Sequence, residues 1–333
     1  MTQKPVHRMT MQFDDNQLVP LLFGEFGAHL SRIESLLEVD IANKGNEVLI
    51  TGDKSAIKAT EKALNHLWER INSGLEVGLD EVDAAIRITD KDMDKATREL
   101  AKAAFLEPQI KKAPSGGKEI TARTPSQAKY LAALEKHELT FGLGPAGTGK
   151  TYLAVAQAVN MLRQGTIDKL ILCRPAVEAG ENLGFLPGDL QEKIDPYLRP
   201  IYDALNVMMP PEIVVQKLSN GDIEVAPLAY MRGRTLSNAF IILDEAQNTT
   251  IAQMKMALTR IGENSRMAIT GDPSQIDLPR RSDSGLINAV QVLKDVKDIA
   301  FIEFDEKDVV RHHLVAKIVH AYDKFDKSKS KQD

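Results

Sequence analysis

Cysteine is almost missing from this chain: Cys173 is the single one in 333 residues. That excludes an intramolecular disulfide framework and a cluster of thiolates around a metal, and it fits a reducing compartment. No apolar run reaches the ~18 residues that a membrane-spanning helix needs, and no charged-then-apolar leader opens the chain. The expectation is a cytoplasmic protein that does not enter a membrane. Paired metal-ligating histidines are absent too. The 7 histidines show no H-x-x-x-H spacing, and the adjacent His312 and His313 cannot place both rings on one helical face. Nor is there an excess of positive charge. A formal net charge of −5 and a pI near 5.9 exclude a surface coated for non-specific nucleic-acid binding, while leaving room for a local basic groove.

What is present is an ordinary globular composition, 43% hydrophobic and 27% charged, in a chain long enough for two domains. Its most informative stretch is Phe141-Gly-Leu-Gly-Pro-Ala-Gly-Thr-Gly-Lys-Thr-Tyr152. Gly144, Gly149, Lys150 and Thr151 satisfy the phosphate-loop pattern G-x-x-x-x-G-K-[ST]. Gly144, Pro145, Ala146, Gly147, Thr148 and Gly149 form a loop with little side-chain bulk, so that successive backbone N–H groups can converge on phosphate oxygens. Lys150 supplies a point charge to the β- and γ-phosphates. Thr151 offers a hydroxyl to Mg²⁺, and the following helix turns its positive end toward the anion. An apolar run over 139–143 reads as the preceding strand, and 152–162 has helical spacing. The expected cofactors are ATP and Mg²⁺; no N-K-x-D sequence is present to read guanine.

Two further apolar strands end in polar residues. Phe240-Ile-Ile-Leu-Asp-Glu-Ala-Gln247 closes on Asp244, suited to the water shell of Mg²⁺, and on Glu245, suited to deprotonating an attacking water. Residues 266–270 lead into Gly271-Asp-Pro-Ser-Gln275, similar to the superfamily 1 helicase motif that senses the γ-phosphate, with Gln275 as the sensing amide. Gln127 stands 17 residues before Gly144. Its amide offers the donor and acceptor needed to read adenine, and it resembles the Gln-bearing motif upstream of the phosphate loop in those helicases. Arg174, at the end of a strand over 169–173, matches the position that contacts the nucleic-acid backbone in helicase cores; a surface ion pair is the plainer alternative. Arg232, Arg234, Arg280 and Arg281 offer a cationic track, or simply a solvated charged surface. Three strands delivering polar residues to one rim predict a doubly wound α/β sheet.

Ahead of this lies a different pattern. Residues 18–37 place Gly24-Glu-Phe-Gly27 between two short helical runs, followed by strands over 39–42 and 47–51 and a helix that starts after Asp53. This resembles a KH-type module over about residues 10–72, whose G-x-x-G loop clamps single-stranded nucleic acid. Glu25 is a departure, because a phosphate contact favours Lys or Arg; RNA binding through Gly24 and Gly27 and a plain glycine turn both remain open. Residues 75–107 continue with helical patterning. The expected organisation is a KH-like module with a helical extension over 1–107, a linker over 108–118, and an α/β, RecA-like ATPase domain over 119–333.

The phosphate loop, Arg174-Pro-Ala-Val-Glu-Ala-Gly-Glu181, Asp244-Glu-Ala-Gln-Asn248, Gly271-Asp-Pro-Ser-Gln275 and Asp308-Val-Val-Arg-His312 together resemble the PhoH-like ATPases, particularly the bacterial YbeZ type, most densely over about 119–323. The resemblance implies one RecA-like ATPase domain, RNA as partner, and a link to a YbeY-type endoribonuclease in ribosomal RNA maturation. It leaves two uses of ATP open: turnover coupled to RNA, or a nucleotide-switched scaffold. A small-molecule kinase is disfavoured, since Glu245 and Gln275 suit activation of water. Only 62 residues follow Gly271, too few for the second RecA-like domain with which a monomeric helicase completes its site. A homo-oligomeric ring is therefore expected, in which Arg311 of one subunit reaches the next site as an arginine finger. Doping Arg311→Ala chains into wild-type protein then poisons ATP hydrolysis more than in proportion to their share, as read by steady-state phosphate release; a strictly proportional loss refutes the shared site.

Overall fold

The first strand forms where the sequence looks merely polar. A computed structural model of the chain describes residues 7–90, 93–108, 110, 120–175, 199 and 201–309, and in it β1 (His7–Gln12) pairs antiparallel with β3 (Glu47–Gly52). Met9 and Met11 are the half-buried members of an alternating row, too weak a pattern to stand out in the sequence. β3 also pairs with β2 (Asp40–Lys44), giving the order β1-β3-β2. As the central strand, β3 buries Val48 and Ile50 completely, each worth about 1.5–3 kcal/mol of apolar transfer.

Between β1 and β2 run α1 (Val19–Phe23) and α2 (Ala28–Leu37), joined by the G-x-x-G turn. The turn requires its first glycine: Gly24 has φ +74°, and an added Cβ would lie 2.7 Å from the ring of buried His29. After β3, α3 (Lys54–Asn72) is capped by Asp53, whose carboxylate accepts from the Ser55 N–H and hydroxyl. Its apolar face, Ile57, Leu64, Leu67 and Ile71, closes the core over the sheet. The observed order is strand, two helices about G-x-x-G, two strands and helix; the leading strand adds to the pattern expected from the sequence. α4 (Leu79–Ile88) and α5 (Lys95–Leu106) extend it.

The second part begins with α6 (Pro125–Lys136), started by the Thr124 hydroxyl and by Pro125 in the first turn. There follow β4 (Leu139–Leu143), α7 (Lys150–Arg163), β5 (Lys169–Arg174), helical residues 201–208, α8 (Pro211–Asn220) and β6 (Ile223–Pro227). β7 (Ala239–Leu243), α9 (Ile251–Leu258), β8 (Arg266–Gly271), α10 (Gly285–Leu293) and β9 (Ile299–Glu303) complete it. The six strands are parallel in the order β6-β5-β7-β8-β4-β9. Alternate residues of each strand face opposite cores, so Leu170, Leu172, Phe240 and Ile242 pack with α6 and α7, while Ile171, Cys173, Ile241 and Leu243 pack with α9 and α10. Both faces are covered, which is why these strands read as unbroken apolar runs. The carboxylate-bearing strand β7 is separated from the phosphate-loop strand β4 by β8.

The two parts touch. Arg70 donates to the carbonyls of Glu76 and Phe105 and to the Thr121 hydroxyl, with its guanidinium 4.9 Å over the Phe105 ring. Arg123 pairs with Asp80 at 2.9 Å and Glu81 at 3.2 Å on the first turn of α4. Ile110 and Ile120 form an antiparallel bridge and are buried in the apolar cluster that holds α6 and α7.

His66 on α3 is the titrating weak point of this packing. Its Nδ1 is buried without a hydrogen-bond partner among the described residues, and burial first, then the Lys102 charge, push its pKa below the ordinary value. The folded state therefore binds that proton less readily than the unfolded chain. Stability is undiminished above the unfolded value of about 6.5 and falls as pH drops through the window below it. The urea midpoint of wild-type protein should fall between pH 7.5 and pH 5, and in His66→Gln the drop should be smaller; an identical drop in both refutes the assignment.

Candidate nucleotide-binding and hydrolysis site

Strand register brings the polar residues to one level. Leu243 lies opposite Cys173 and Ile269, so the next residues, Asp244, Arg174 and Thr270, line up across β7, β5 and β8. On the far side of β8, Leu143 lies opposite Gly271, and the chain turns there into the phosphate loop with the Gly144 N–H donating to the Gly271 carbonyl at 3.1 Å. Gly144 has φ +140°, and a Cβ would come within 2.2 Å of the Phe304 carbonyl oxygen; no other residue fits.

Within the loop, Gly147 and Gly149 also take positive φ, and Gly149 caps α7. Lys150 is 8% exposed, and its ammonium donates to the carbonyls of Gly144 and Pro145 at 2.7 Å each and to the Thr148 hydroxyl at 3.2 Å. A cation held by the loop's own oxygens sits where triphosphate oxygens would compete for it. Pro145, Ala146 and Gly147 are half-buried at the mouth.

Gln127 is buried beneath the loop. Its amide nitrogen donates to the Thr148 carbonyl at 3.0 Å, and its oxygen accepts from the Arg123 N–H at 2.8 Å. The amide read from the sequence as an adenine contact thus braces the phosphate loop against the segment leading into α6. Each end retains one further hydrogen-bonding valence.

Asp244 is 6% exposed, and its Oδ1 accepts from the hydroxyls of Thr151 and Thr270, both at 2.7 Å. Thr151 and Asp244 are therefore adjacent oxygen donors, the pair that suits Mg²⁺ held largely through its water shell. Glu245 follows in left-handed backbone, φ 52° and ψ 39°, an uncommon state for a non-glycine residue. Its Oε1 lies 3.4 Å from Arg174, and its Oε2 accepts from the Gln247 amide at 2.5 Å. Gln247 is in turn buried, with its oxygen accepting from the Asp272 N–H at 3.1 Å. One carboxylate oxygen of Asp272 takes the N–H and hydroxyl of Ser274; the other is buried without a partner among the described residues.

Other residues read from the sequence lie elsewhere. Gln275 is exposed on the turn after β8, its N–H donating to the Asp272 carbonyl. Arg234 is committed to Glu224 through two contacts of 2.5 and 2.7 Å; that hydrogen bonding holds Arg234 above its ordinary pKa and Glu224 below its own. Arg232, Arg280 and Arg281 are exposed. Gly24 and Gly27 lie in the N-terminal unit, bracketing Phe26, which is 99% exposed in left-handed backbone. Arg311 and residues 176–198 lie outside the described residues. Sequence reasoning assigned no role to Thr270, Gln247 or Asp272. The available signal for Thr270 was a hydroxyl at the end of an otherwise apolar strand. Cys173 is inert packing, its thiol pushed up to about 12 by burial and, secondarily, by Asp244.

The family model described as PhoH-like protein matches residues 119–323. A PhoH-like protein of Bacillus subtilis is 50% identical over 303 residues, covering 91% of this chain and 93% of the relative. One from Mycobacterium tuberculosis is 46% identical over 309 residues, covering 93% and 86%. Protein PhoH of Escherichia coli is 45% identical over 212 residues, 61% of this chain and 58% of that one.

The shared oxygen of Asp244 makes a sharp test. Thr151→Val keeps the shape and removes one hydroxyl from it. It should raise the Mg²⁺ concentration for half-maximal ATP hydrolysis and lower kcat by roughly 10-fold or more, since metal clamping is worth several kcal/mol in the transition state. Unchanged Mg²⁺ dependence refutes the assignment of Thr151.

Proposed function

Since the chain belongs to the PhoH-like protein family and Thr151 of its phosphate loop contacts Asp244, we propose that it is a cytoplasmic Mg²⁺-dependent ATP hydrolase coupled to the binding or remodelling of single-stranded RNA. The observation that carries the hydrolytic half is the contact of Thr151 with Asp244 at 2.7 Å, with Glu245 next in the chain. The backbone N–H groups of residues 146–149 and the Lys150 ammonium would bind the phosphates, replacing the carbonyls that Lys150 now contacts. Thr151 and Asp244 would hold Mg²⁺, which would supply positive charge to offset that of the phosphates. Glu245 orients a water and takes its proton, while Gln127 secures the loop and turns its remaining valences toward adenine.

The RNA half rests on Arg174 and on the N-terminal unit. Arg174 stands at the same strand-end level as Asp244 and contacts Glu245, so a phosphodiester that draws on Arg174 alters the surroundings of the water-activating carboxylate. The KH-like order of elements and the exposed Gly24–Gly27 turn supply a second surface for a single strand. The RNA reading extends to helicase action and to ribosomal RNA maturation with a YbeY-type endoribonuclease, in a homo-oligomeric ring. A second reading is favoured by the ion pair of Glu245 with Arg174 at 3.4 Å. A carboxylate held by a cation is a weaker base, which suits slow turnover, and ATP then serves as a switch for a scaffold that recruits the nuclease.

Steady-state ATP hydrolysis with and without single-stranded RNA separates the two. In the coupled enzyme RNA stimulates turnover, Glu245→Gln abolishes it, and replacing Glu25-Phe26 by Asp-Asp lowers the stimulation with basal rate unchanged. Turnover abolished by Glu245→Gln but indifferent to RNA refutes coupling and leaves the switched scaffold.

A further inference from the structure

Glu245 emerges at the sheet rim with its side chain 37% exposed. A glutamate there, free to turn about three side-chain bonds, would occupy a water-activating position only part of the time, and misplacement by about 1 Å can cost on the order of 100-fold in rate. Something must hold it, and the chain supplies that group two residues later. Gln247 is 2% exposed and fixed at both of its own ends: its side-chain oxygen accepts from the Asp272 N–H at 3.1 Å, and its backbone carbonyl accepts from the Ser284 hydroxyl at 2.8 Å.

The orientation of the Gln247 amide is determined by its neighbours. Its oxygen must face the Asp272 N–H, and its NH₂ must face Glu245 Oε2, 2.5 Å away. A flipped amide would set oxygen against carboxylate and NH₂ against N–H, two repulsions in place of two hydrogen bonds. The fit extends to the strand beneath, where a Cβ on Gly271 would come within 2.8 Å of the Gln247 oxygen. A loop anchor would need only the bond to Asp272. The second bond, from a buried amide to a partly exposed carboxylate, serves Glu245.

We propose that Gln247 is a positioning residue for hydrolysis, locking the Glu245 carboxylate to the backbone at the end of β8. The proposal rests on the hydrolytic reading above. Because the Asp272 N–H begins the turn that follows β8, a shift of that turn is transmitted to Glu245 through one side chain.

Two variants of the full-length chain test this. Gln247→Glu keeps an acceptor for the Asp272 N–H but, once ionised, replaces the donor to Glu245 with a like charge. Gln247→Met removes both bonds at similar length. Both should lower kcat by roughly 10- to 100-fold with KM for ATP within about twofold, and the Gln247→Glu loss should deepen as pH rises, because a carboxyl that keeps its proton beside Glu245 still donates to it. The proposal is overturned if Gln247→Met and Gln247→Glu retain wild-type kcat, or if the loss lies in KM. Turnover that survives Glu245→Gln overturns the hydrolytic reading itself, and this inference with it.

Discussion

One carboxylate oxygen organises the centre of this molecule. Asp244 Oδ1 sits nearly out of solvent and takes hydroxyl protons from Thr151, at the start of the phosphate-loop helix, and from Thr270, on the strand between. Leaving such a group unpaired costs on the order of 1–3 kcal/mol, and more when it is charged. The three residues therefore have one arrangement that satisfies all of them. That arrangement fixes the height of α7 against β7 and β8, and with it the distance from the loop to the carboxylates. The insertion of β8 between β4 and β7 is what makes it possible, because Thr270 can then bond to Asp244 from the adjacent strand while Thr151 approaches from the loop.

A second set of contacts ties the N-terminal unit to the same loop. The Arg123 guanidinium pairs with Asp80 and Glu81 of α4, while its backbone N–H is accepted by Gln127, which donates to Thr148. Five residues thus join a helix of the first part to the floor of the phosphate loop. The ion pairs are partly exposed and contribute little to stability on their own. Their value lies in placement: Arg123 cannot move with α4 without pulling on the Gln127 amide. A mobile tether would carry no such information, and the buried bridge between Ile110 and Ile120 brackets the segment that its Lys, Pro and Gly content marks as a linker.

Much of this was legible in the chain, for reasons that differ by element. The parallel strands were readable because both faces are buried, giving continuous apolar runs that end in polar residues at the site. The phosphate loop was readable because its glycines are required by geometry, Gly144 most of all. β1 was not, since an edge strand with one half-buried face offers only Met9 and Met11 against polar neighbours. The order of strands was not, since nothing local in 266–271 says that β8 inserts beside β4. Among side chains, Gln247 escaped a role because the letters Asp-Glu draw attention to charge, whereas its contribution depends on a partner 25 residues away, the Asp272 N–H. Gln127 was singled out for the chemistry of its amide, which the structure shows bracing the loop.

The distribution of cations around the rim bears on how a polyanion would act here. Arg174 is engaged with Glu245, and Arg234 with Glu224. In a chain of net charge −5, these two arginines are thus satisfied internally, whereas Arg232, Arg280 and Arg281 are exposed. A single strand held by such surface arginines loses affinity with salt by about 0.7 per neutralised charge on a logarithmic scale. A strand that gains affinity by recruiting Arg174 must take it from Glu245. The free energy of that exchange appears in the site, where the carboxylate keeps Gln247 and loses its cation. Under the RNA coupling proposed above, an internally paired arginine would be a poor anchor for the strand but would carry its contact to the water-activating carboxylate.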